Sequence, residues 1–349
     1  TAGHVTPNIA LLPALQAAGY EIAYVGSYEG IEKKLIADFN IPYTGISTGK
    51  FRRYLDPKNF SDPFRVMKGF VEARNYLKNY QPDVVFSKGG FVSVPVVRAA
   101  ASLHIPCIIH ESDMTPGLAN KLCIPVAEKV CCNFPETMKN IPADKAVLTG
   151  SPIRAELAQG SRLAGLNMCG FTANKPVIMV IGGSLGAANV NKAVRDALPK
   201  LLEDFQVVHL CGKDKIDNLL LNTPGYKQFE YIKAELKDIF AMADVVISRA
   251  GANAICELLA LKKPNILIPL PAASSRGDQL LNAASFEAQG YSIVLNEDDI
   301  TTNLLVDKVH ELYFNRQNYV EAMSRSHQMD AINTIMLLIN EAANKSHTQ

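Results

Sequence analysis

The chain alternates short apolar runs with longer amphipathic stretches, and several of the apolar runs end in a glycine-containing turn. The runs at 177–181, 206–210 and 243–247 are rich in β-branched side chains, as is typical of strands buried on both faces. The stretch at 189–202 places apolar residues at helical spacing instead. This alternation predicts parallel sheets covered by helices on both faces, the doubly wound α/β class.

The same pattern extends along the rest of the chain. It predicts further strands at 20–26, 42–46, 83–87, 106–110, 130–133, 146–149, 229–232, 265–269 and 292–295. It predicts further helices at 8–18, 29–39, 62–80, 118–127, 236–243, 301–316 and 318–345. The composition becomes polar over 155–175. Since an α/β unit begins with a strand, we expect a first strand to precede residue 1.

The length and composition favour two domains and exclude several classes of protein. A chain of 349 residues, 48% of them hydrophobic, is long enough for two α/β cores. The glycine, serine and proline at 150–152, just before Arg154, predict a hinge between them. A formal net charge of +1 provides no general attraction to nucleic acid, so no nucleic-acid partner is expected.

The cysteines and apolar runs indicate the compartment. The seven cysteines form no CxxC pair and no zinc-type spacing with histidine, and they are expected to be buried free thiols of a reducing compartment. No run approaches the roughly 18 apolar residues of a membrane span, and no signal peptide opens the chain. The sequence therefore predicts a cytoplasmic protein that binds no metal and could still lie against a membrane.

Two glycine turns are candidates for ligand binding. The loop 182–187 follows a strand and opens a helix, so its amides, Ser184 and the helix dipole could hold a diphosphate. It matches neither the P-loop nor the nicotinamide fingerprint. In the second turn, 248–257, Glu257 lies about one helical turn in, where its carboxylate could bind a ribose. An ordinary βα connection explains that turn equally well.

His4 is the candidate base, because histidine accepts a proton near neutral pH and His4 lies in a glycine loop at a predicted helix start. A lone histidine is more often structural than catalytic, so both interpretations stay open. His110 and Glu111, at the end of a strand, lie in the right region for a site. No GxSxG motif supports covalent hydrolase chemistry.

A basic segment precedes the amphipathic helix at 62–80. It carries Lys50, Arg52, Arg53 and Lys58. The helix is expected to pack on the sheet, and the basic segment could dock on anionic lipid headgroups.

Six stretches, taken together and in this order, resemble one family. They read TAGHVTP at 1–7, GGFVSVP at 89–95, HESDMTPGLANK at 110–121, GGSLG at 182–186, SRAGANAICE at 248–257 and RGDQLLNA at 276–283. The chain resembles the MurG family of bacterial glycosyltransferases over essentially its whole length, in a form similar to that of Gram-positive bacteria. The resemblance implies a GT-B fold, with two Rossmann-like domains facing each other across a cleft.

The resemblance also implies an activity and a division of labour. It implies transfer of N-acetylglucosamine from UDP-N-acetylglucosamine to the 4-hydroxyl of undecaprenyl-diphospho-muramyl-pentapeptide, lipid I to lipid II, in peptidoglycan synthesis at the cytoplasmic face of the membrane. The acceptor domain would comprise 1–153 and 328–349, and the donor domain 154–327. The partners would be the two substrates and an anionic membrane surface, with no cofactor and no metal.

The resemblance implies roles for individual residues. His4 would be the general base. The donor would be bound by Thr1, Ala2, Gly3, Arg154, Ser184, Ile232, Ala252, Asn253, Ala254, Ile255, Cys256, Glu257, Asp278 and Gln279. The acceptor side would include Gly89, Gly90, Phe91, Glu111 and Asp113.

Two departures and two rivals remain. The glycines that the family carries before Thr1 are missing here, and Ser112 and Asp113 replace a common Gln-Asn pair, which leaves the role of Asp113 open. A UDP-N-acetylglucosamine 2-epimerase shares the GT-B fold and would act without a lipid acceptor. A non-catalytic subunit that recruits a partner to the membrane would not need His4, Arg154 and Gln279.

Overall fold

The computed structural model describes residues 2–49, 62–182, 187–274 and 277–346. The chain divides into two compact units: unit 1 is Thr1–Arg154 with Asp330–Gln349, and unit 2 is Ala155–Met329. The boundaries expected from the sequence, after 153 and after 327, lie within two residues of this division. The roles expected for the two domains stay a prediction.

Within the described residues, unit 1 contains a two-stranded and a four-stranded sheet, both parallel. The smaller sheet pairs β1 (Tyr24–Ser27) with β2 (Tyr43–Ile46). The larger has the order β3 (Val85–Ser87), β4 (Cys107–Glu111), β5 (Lys129–Cys132) and β6 (Ala146–Leu148). The helices are α1 (Ala2–Ala17), α2 (Ile31–Ile36), α3 (Asp62–Tyr80), α4 (Ser93–Ser102), α5 (Leu118–Cys123), α6 (Pro135–Met138) and, later in the chain, α14 (Ala331–Ser346).

The larger sheet of unit 1 is buried on both faces. Ile108 packs on one face with Leu11 of α1 and Ile335 of α14. The next residue, Ile109, packs on the other face with Val97 of α4. Successive side chains of a strand point to opposite faces, so a continuous apolar run is needed to cover both.

Helix α1 begins at Ala2, six residues earlier than expected. Pro7 and Pro13 lie inside it and each remove a backbone donor, which normally favours ending a helix. Burial of Leu11 and Leu12 offsets this cost. His4 therefore lies in the first turn of a helix, and the expectation that it lies in a loop is wrong.

Unit 2 is built on a six-stranded parallel sheet within the described residues, with the order β12-β11-β10-β7-β8-β9. Its strands are β7 (Val177–Ile181), β8 (Gln206–Leu210), β9 (Tyr226–Phe229), β10 (Val245–Ser248), β11 (Asn265–Leu267) and β12 (Ser292–Val294). Its helices are α7 (Arg162–Cys169), α8 (Ala188–Asp204), α9 (Leu236–Met242), α10 (Ala252–Ala260), α11 (Asp278–Ala288), α12 (Thr302–Phe314) and α13 (Arg316–Ser324).

The strand order of unit 2 reverses between β7 and β10. From β7 the chain proceeds through β8 to β9, and from β10 it proceeds the other way through β11 to β12. This is the doubly wound dinucleotide-fold order, in which ligands bind beyond the carboxyl ends of the strands at the point of reversal. The two candidate glycine turns, after β7 and after β10, both lie at that point.

The polar segment 155–175 contains α7, which begins where Ser161 Oγ accepts from Ala164 N (3.2 Å) and ends at Gly170 with φ 69°. Two sequence expectations in unit 2 and its exit are wrong. The strand expected at 229–232 ends at Phe229. The helix expected at 318–345 is broken by a 3₁₀ turn, His327–Asp330, where the chain passes from unit 2 to unit 1.

All seven cysteines are buried free thiols, as the sequence predicted.

Candidate active site

Unit 1 presents a tight glycine turn between β3 and α4. Gly89 and Gly90 have φ values of 95° and 90°, a region that residues with a Cβ rarely adopt. Ser93 closes the turn, because its hydroxyl and its amide both donate to Gly90 O, at 2.5 and 3.1 Å. A Cβ at position 90 would lie 4.0 Å from His4 Nδ1, so the His4 ring borders this turn.

The His4 ring is held in its neutral form. Burial, helped by nearby positive charges that include Lys88, lowers its pKa to about 4. A neutral imidazole at physiological pH has an acceptor nitrogen available for a proton. His4 therefore has the protonation state that a general base needs.

A buried chain of hydrogen bonds joins three strand ends of unit 1. The register pairs Ser87 with Ile109, so Lys88 and His110 lie side by side at the ends of β3 and β4. Lys88 Nζ donates to His110 Nδ1 at 2.8 Å, and His110 Nε2 donates to Gly150 O, beyond β6, at 2.7 Å. Burial lowers the pKa of His110 well below its usual value, and the Lys88 charge adds to this.

The Glu111 carboxylate organises the loop that follows β4. It accepts from the backbone N–H of Asp113 (2.9 Å) and of Gly117 (3.1 Å), and from Asn120 Nδ2 (2.8 Å). Burial raises its pKa, partly against these bonds. Glu111 thus shapes the surface predicted to receive the acceptor, with its oxygens engaged inside the protein.

The remaining unit 1 candidates lie near these groups. Asp113 is half-buried, and its carbonyl accepts from Thr137 Oγ1 at 3.2 Å. Phe91 is half-buried in the turn before α4, and Arg154 is half-buried at the last position of the first segment of unit 1. Gly3 is exposed in the first turn of α1, and the backbone of Ala2 begins that helix.

In unit 2 the register brings together the two strand ends that the candidate glycine turns follow. Ser248, the last residue of β10, pairs with Ile181, the last residue of β7. Gly182 and Arg249 therefore leave adjacent strands at the point of reversal. Ser184 lies outside the described residues, as does Thr1 in unit 1, so the parts predicted for them stay predictions.

Arg249 anchors the turn after β10. It is buried, and its Nη1 donates to the carbonyls of Ile268 (3.0 Å) and Pro269 (3.2 Å). Its Nη2 is ion-paired with Glu297, in the turn after β12. Glu297 also accepts from Asn189 Nδ2 of α8 at 2.5 Å, so these contacts tie the turns after β10, β11 and β12 to α8.

Gln279 joins two of these loops from the first turn of α11. Its Oε1 accepts from Ala250 N (3.3 Å) and Leu270 N (3.0 Å). Its Nε2 lies 4.0 Å from where a Cβ on Gly251 would stand. The Gln279 carbonyl is thus structural, and its amide group faces the turn. Asp278 is half-buried beside it.

The run at the start of α10 divides into core and surface positions. Ile255 and Cys256 are buried, so their side chains serve the core. The half-buried positions are Ala252, Asn253, Ala254 and Glu257. Ile232 is 6% exposed, three residues past the end of β9. The backbone of the buried members and the side chain of Glu257 are what this region offers a ligand.

Among the described residues, no group of three or more His, Cys, Asp or Glu side chains could hold a metal ion.

Comparison with known proteins identifies the family. The glycosyltransferase family 28 N-terminal domain matches residues 1–132, and the family 28 C-terminal domain matches 177–336. A Lachnospira eligens UDP-N-acetylglucosamine–N-acetylmuramyl-(pentapeptide) pyrophosphoryl-undecaprenol N-acetylglucosamine transferase is 63% identical over 98% of this chain and 96% of its own. A Clostridium botulinum protein of the same name is 56% identical over the same shares. The chain belongs to the MurG family of N-acetylglucosaminyltransferases.

Solved structures agree with this family. The crystal structure of Acinetobacter baumannii MurG is similar to this chain with a TM-score of 0.77 and 29% identity, covering 98% of this chain and 97% of its own. A Listeria monocytogenes protein described as a putative UDP-N-acetylglucosamine 2-epimerase has a TM-score of 0.69 at 12% identity, covering 98% and 94%, which shows the fold alone. The predicted GT-B class with two Rossmann-like domains is confirmed, as is the predicted family.

The residues that anchor the glycine turns after β3 and β10 were not predicted from the sequence. Lys88 and Arg249 each stand directly after a buried strand and just before a glycine turn, and both are buried. A basic residue at such a position indicates an anchor of the turn, since a buried charge must be paired or hydrogen-bonded. Glu297, 48 residues from Arg249 in the chain, gave no local signal.

Proposed function

We propose that this chain transfers N-acetylglucosamine from UDP-N-acetylglucosamine to the 4-hydroxyl of undecaprenyl-diphospho-muramyl-pentapeptide, converting lipid I to lipid II. The observation that carries the proposal is the 63% identity, over 98% of the chain, to a transferase whose name states these substrates. The neutral His4 ring beside the glycine turn of unit 1 supplies a base for the reaction.

The chemistry is a single inverting displacement. The acceptor 4-hydroxyl oxygen forms a bond to the anomeric carbon of N-acetylglucosamine while the bond from that carbon to the UDP oxygen breaks. The hydroxyl proton passes to the His4 imidazole, and UDP leaves with the bonding electrons. General base catalysis of this kind typically contributes about 10²–10⁴-fold to the rate.

Negative charge that develops on the departing diphosphate needs stabilisation. We assign this to Arg154, to Ser184 and the loop 182–187, and to the N-terminus of α8, whose dipole favours an anion. Fixed charges and amides that face a developing charge stabilise the transition state by about several kcal/mol in such sites. This assignment explains how the transfer could proceed with the chain's own groups.

The donor is assigned to the point of strand reversal in unit 2. Glu257 would bind the ribose hydroxyls, the backbone near Ile232 would face the uracil, and Gln279 would bond the sugar through its amide group with Asp278 beside it. The half-buried position of Glu257 on α10 supports this role. The acceptor is assigned to unit 1, at Gly89, Gly90, Phe91 and the loop that Glu111 shapes.

The acceptor is lipid-linked, and the exposed face of α3 supports contact with a membrane surface. In the described part of the chain, no helix is long and apolar enough to cross a bilayer. Phe64, Met67 and Val71 recur along one face of α3 and are 79%, 64% and 50% exposed. We propose peripheral binding to anionic lipid at the cytoplasmic face, with help from the basic segment 50–58, which lies outside the described residues.

Transfer of labelled N-acetylglucosamine to a short-chain lipid I analogue tests the activity. We expect product from the parent protein and its loss in His4→Ala, with UDP-N-acetylglucosamine binding retained. Interconversion of the UDP-sugar without a lipid acceptor would support the epimerase instead. Absence of both transfer and donor binding would contradict the proposal.

Vesicle flotation tests the membrane contact. Phe64→Glu/Met67→Glu should weaken binding to phosphatidylglycerol vesicles, and so should Arg52→Glu/Arg53→Glu. Leu337→Glu on α14, an apolar residue with a similar exposed fraction of 63%, is the matched control. Equal flotation of the parent and the first two variants would exclude this surface.

A further inference from the structure

Lys88 is a buried ammonium directly after β3, at the carboxyl end of that strand in unit 1. Its exposed fraction is 3%, and its Nζ donates to His110 Nδ1 (2.8 Å) and to Ser112 Oγ (2.5 Å). Burial of a cation costs free energy that its hydrogen bonds only partly return. A methionine would fill similar space without that cost, so packing alone does not explain a lysine here.

The bonds of Lys88 fix the state of His110. Because Nδ1 accepts from the ammonium, the ring proton must be on Nε2, where it donates to Gly150 O at 2.7 Å. Lys88 therefore holds one tautomer and one orientation of the His110 ring. Through that ring it ties the end of β3 to the ends of β4 and β6, on the edge of the sheet where ligands bind in this fold class.

Lys88 also directly precedes the turn that borders His4. Gly89 and Gly90 follow it without a break, and position 90 is the one whose Cβ would stand 4.0 Å from His4 Nδ1. We propose that Lys88 is a positioning residue of the transferase reaction, which holds the His110 ring and the β3–α4 turn in place and keeps a fixed positive charge beside the base. This inference rests on the assignment of His4 under the proposed function.

The fixed charge acts on the protonation of His4 in a defined direction. After burial, the positive charge of Lys88 lowers the pKa of His4 further. Two helices that pack on α1 also carry charged residues. Glu32 of α2 accepts a hydrogen bond from Ser27 N, and Lys345 lies in the last turn of α14. A positive neighbour disfavours the imidazolium, so Lys88 keeps the base unprotonated to lower pH.

The test is a pH titration of the His4 ring by NMR in ¹⁵N-histidine-labelled full chain, with the His4 signal assigned by its loss in His4→Gln. Lys88→Met removes the charge and the bonds, and Lys88→Gln removes the charge but keeps a donor. We expect both to raise the pKa of His4 by roughly half a unit or more. Lys88→Arg and Ser112→Ala keep the charge and should leave the pKa unchanged.

Transfer kinetics supply the second readout. The acid limb of the kcat/KM profile should move to higher pH in Lys88→Gln by the same amount as the NMR pKa, whereas a purely structural defect would lower kcat/KM equally at every pH. An unchanged His4 pKa in both neutral variants overturns the positioning role. Full transfer by His4→Ala overturns the base assignment instead, and the NMR titration still decides the role of Lys88.

Discussion

The two glycine turns are alike in local sequence and differ in what their buried cation contacts. Ser87-Lys88-Gly89-Gly90 begins at the last residue of β3, and Ser248-Arg249-Ala250-Gly251 begins at the last residue of β10. Lys88 donates to an imidazole and a hydroxyl, both neutral, whereas Arg249 is ion-paired with Glu297. The same strand, cation and glycine pattern therefore fixes the His110 ring in unit 1 and ties the turns after β10 and β12 together in unit 2.

The largest effect is expected at His4 of unit 1, the residue proposed to accept the proton of the acceptor hydroxyl. His4→Ala should lower kcat by about 10²–10⁴-fold, because a positioned base contributes that much. The KM for UDP-N-acetylglucosamine should change little, since the donor is assigned to unit 2. Steady-state kinetics with a lipid I analogue measure both constants. Turnover within a few-fold of the parent would remove His4 from the mechanism.

The anchor of unit 2 is expected to matter for stability. Arg249→Met leaves Glu297 buried without its cation, and loss of one partner of a buried pair costs about 3–5 kcal/mol. Denaturant unfolding measures this, with Lys192→Met, which breaks an exposed pair with Asp196, as the control near zero. Arg249→Met/Glu297→Met should recover part of the loss. A free energy of unfolding unchanged in Arg249→Met would show that the pair is not an anchor.

Acid should weaken unit 1 more than unit 2. Burial lowers the pKa of His4 to about 4, that of His110 well below 6.5, and that of His209 in unit 2 to about 3. Below about pH 6.5 each ring binds a proton in the unfolded chain but stays neutral in the folded chain. Its contribution to the free energy of unfolding is therefore complete above pH 6.5 and declines as the pH falls. We expect a loss of about 1–2 kcal/mol per fully buried ring between pH 7 and 5.

Hydrogen exchange separates the two units in that experiment. Amides of β4 should lose more protection between pH 7 and 5, after correction for intrinsic rates, than amides of β8. His104→Gln, which changes an exposed residue of unit 1, should leave the difference intact. Equal losses in the two strands would contradict the comparison.

The smallest effect on stability is expected for the hydrogen bonds that join β8 to β9 and to α8. His209 Nδ1 and Tyr226 Oη lie 2.8 Å apart, and His209 Nε2 lies 2.8 Å from Asn191 Oδ1. Tyr226→Phe removes one buried hydrogen bond and should lower the free energy of unfolding by about 1 kcal/mol. Donor affinity should change less than twofold, since Tyr226 lies in β9 and away from the turns. A large loss of donor affinity would place this network in the site.

The wrong expectations have local causes. Pro7 and Pro13 lie inside α1, and the packing of Leu11 and Leu12 shows why the helix accepts them. The strand expected at 229–232 ends at Phe229, and the apolar side chain of Ile232 is buried from the loop beyond it. Apolar character predicts burial, and the backbone conformation that delivers it depends on neighbours elsewhere in the chain.

The sequence by itself determined the class of fold, the glycine turns and the family, because these depend on local periodicity and on short contiguous motifs. It also predicted that the cysteines are buried thiols. The partners of Lys88, Glu111, Arg249 and Gln279 were decided only in the tertiary structure. Strand register and loop packing bring together residues that are distant in sequence, such as Arg249 and Glu297, and these contacts decide which partner stabilises a buried charge.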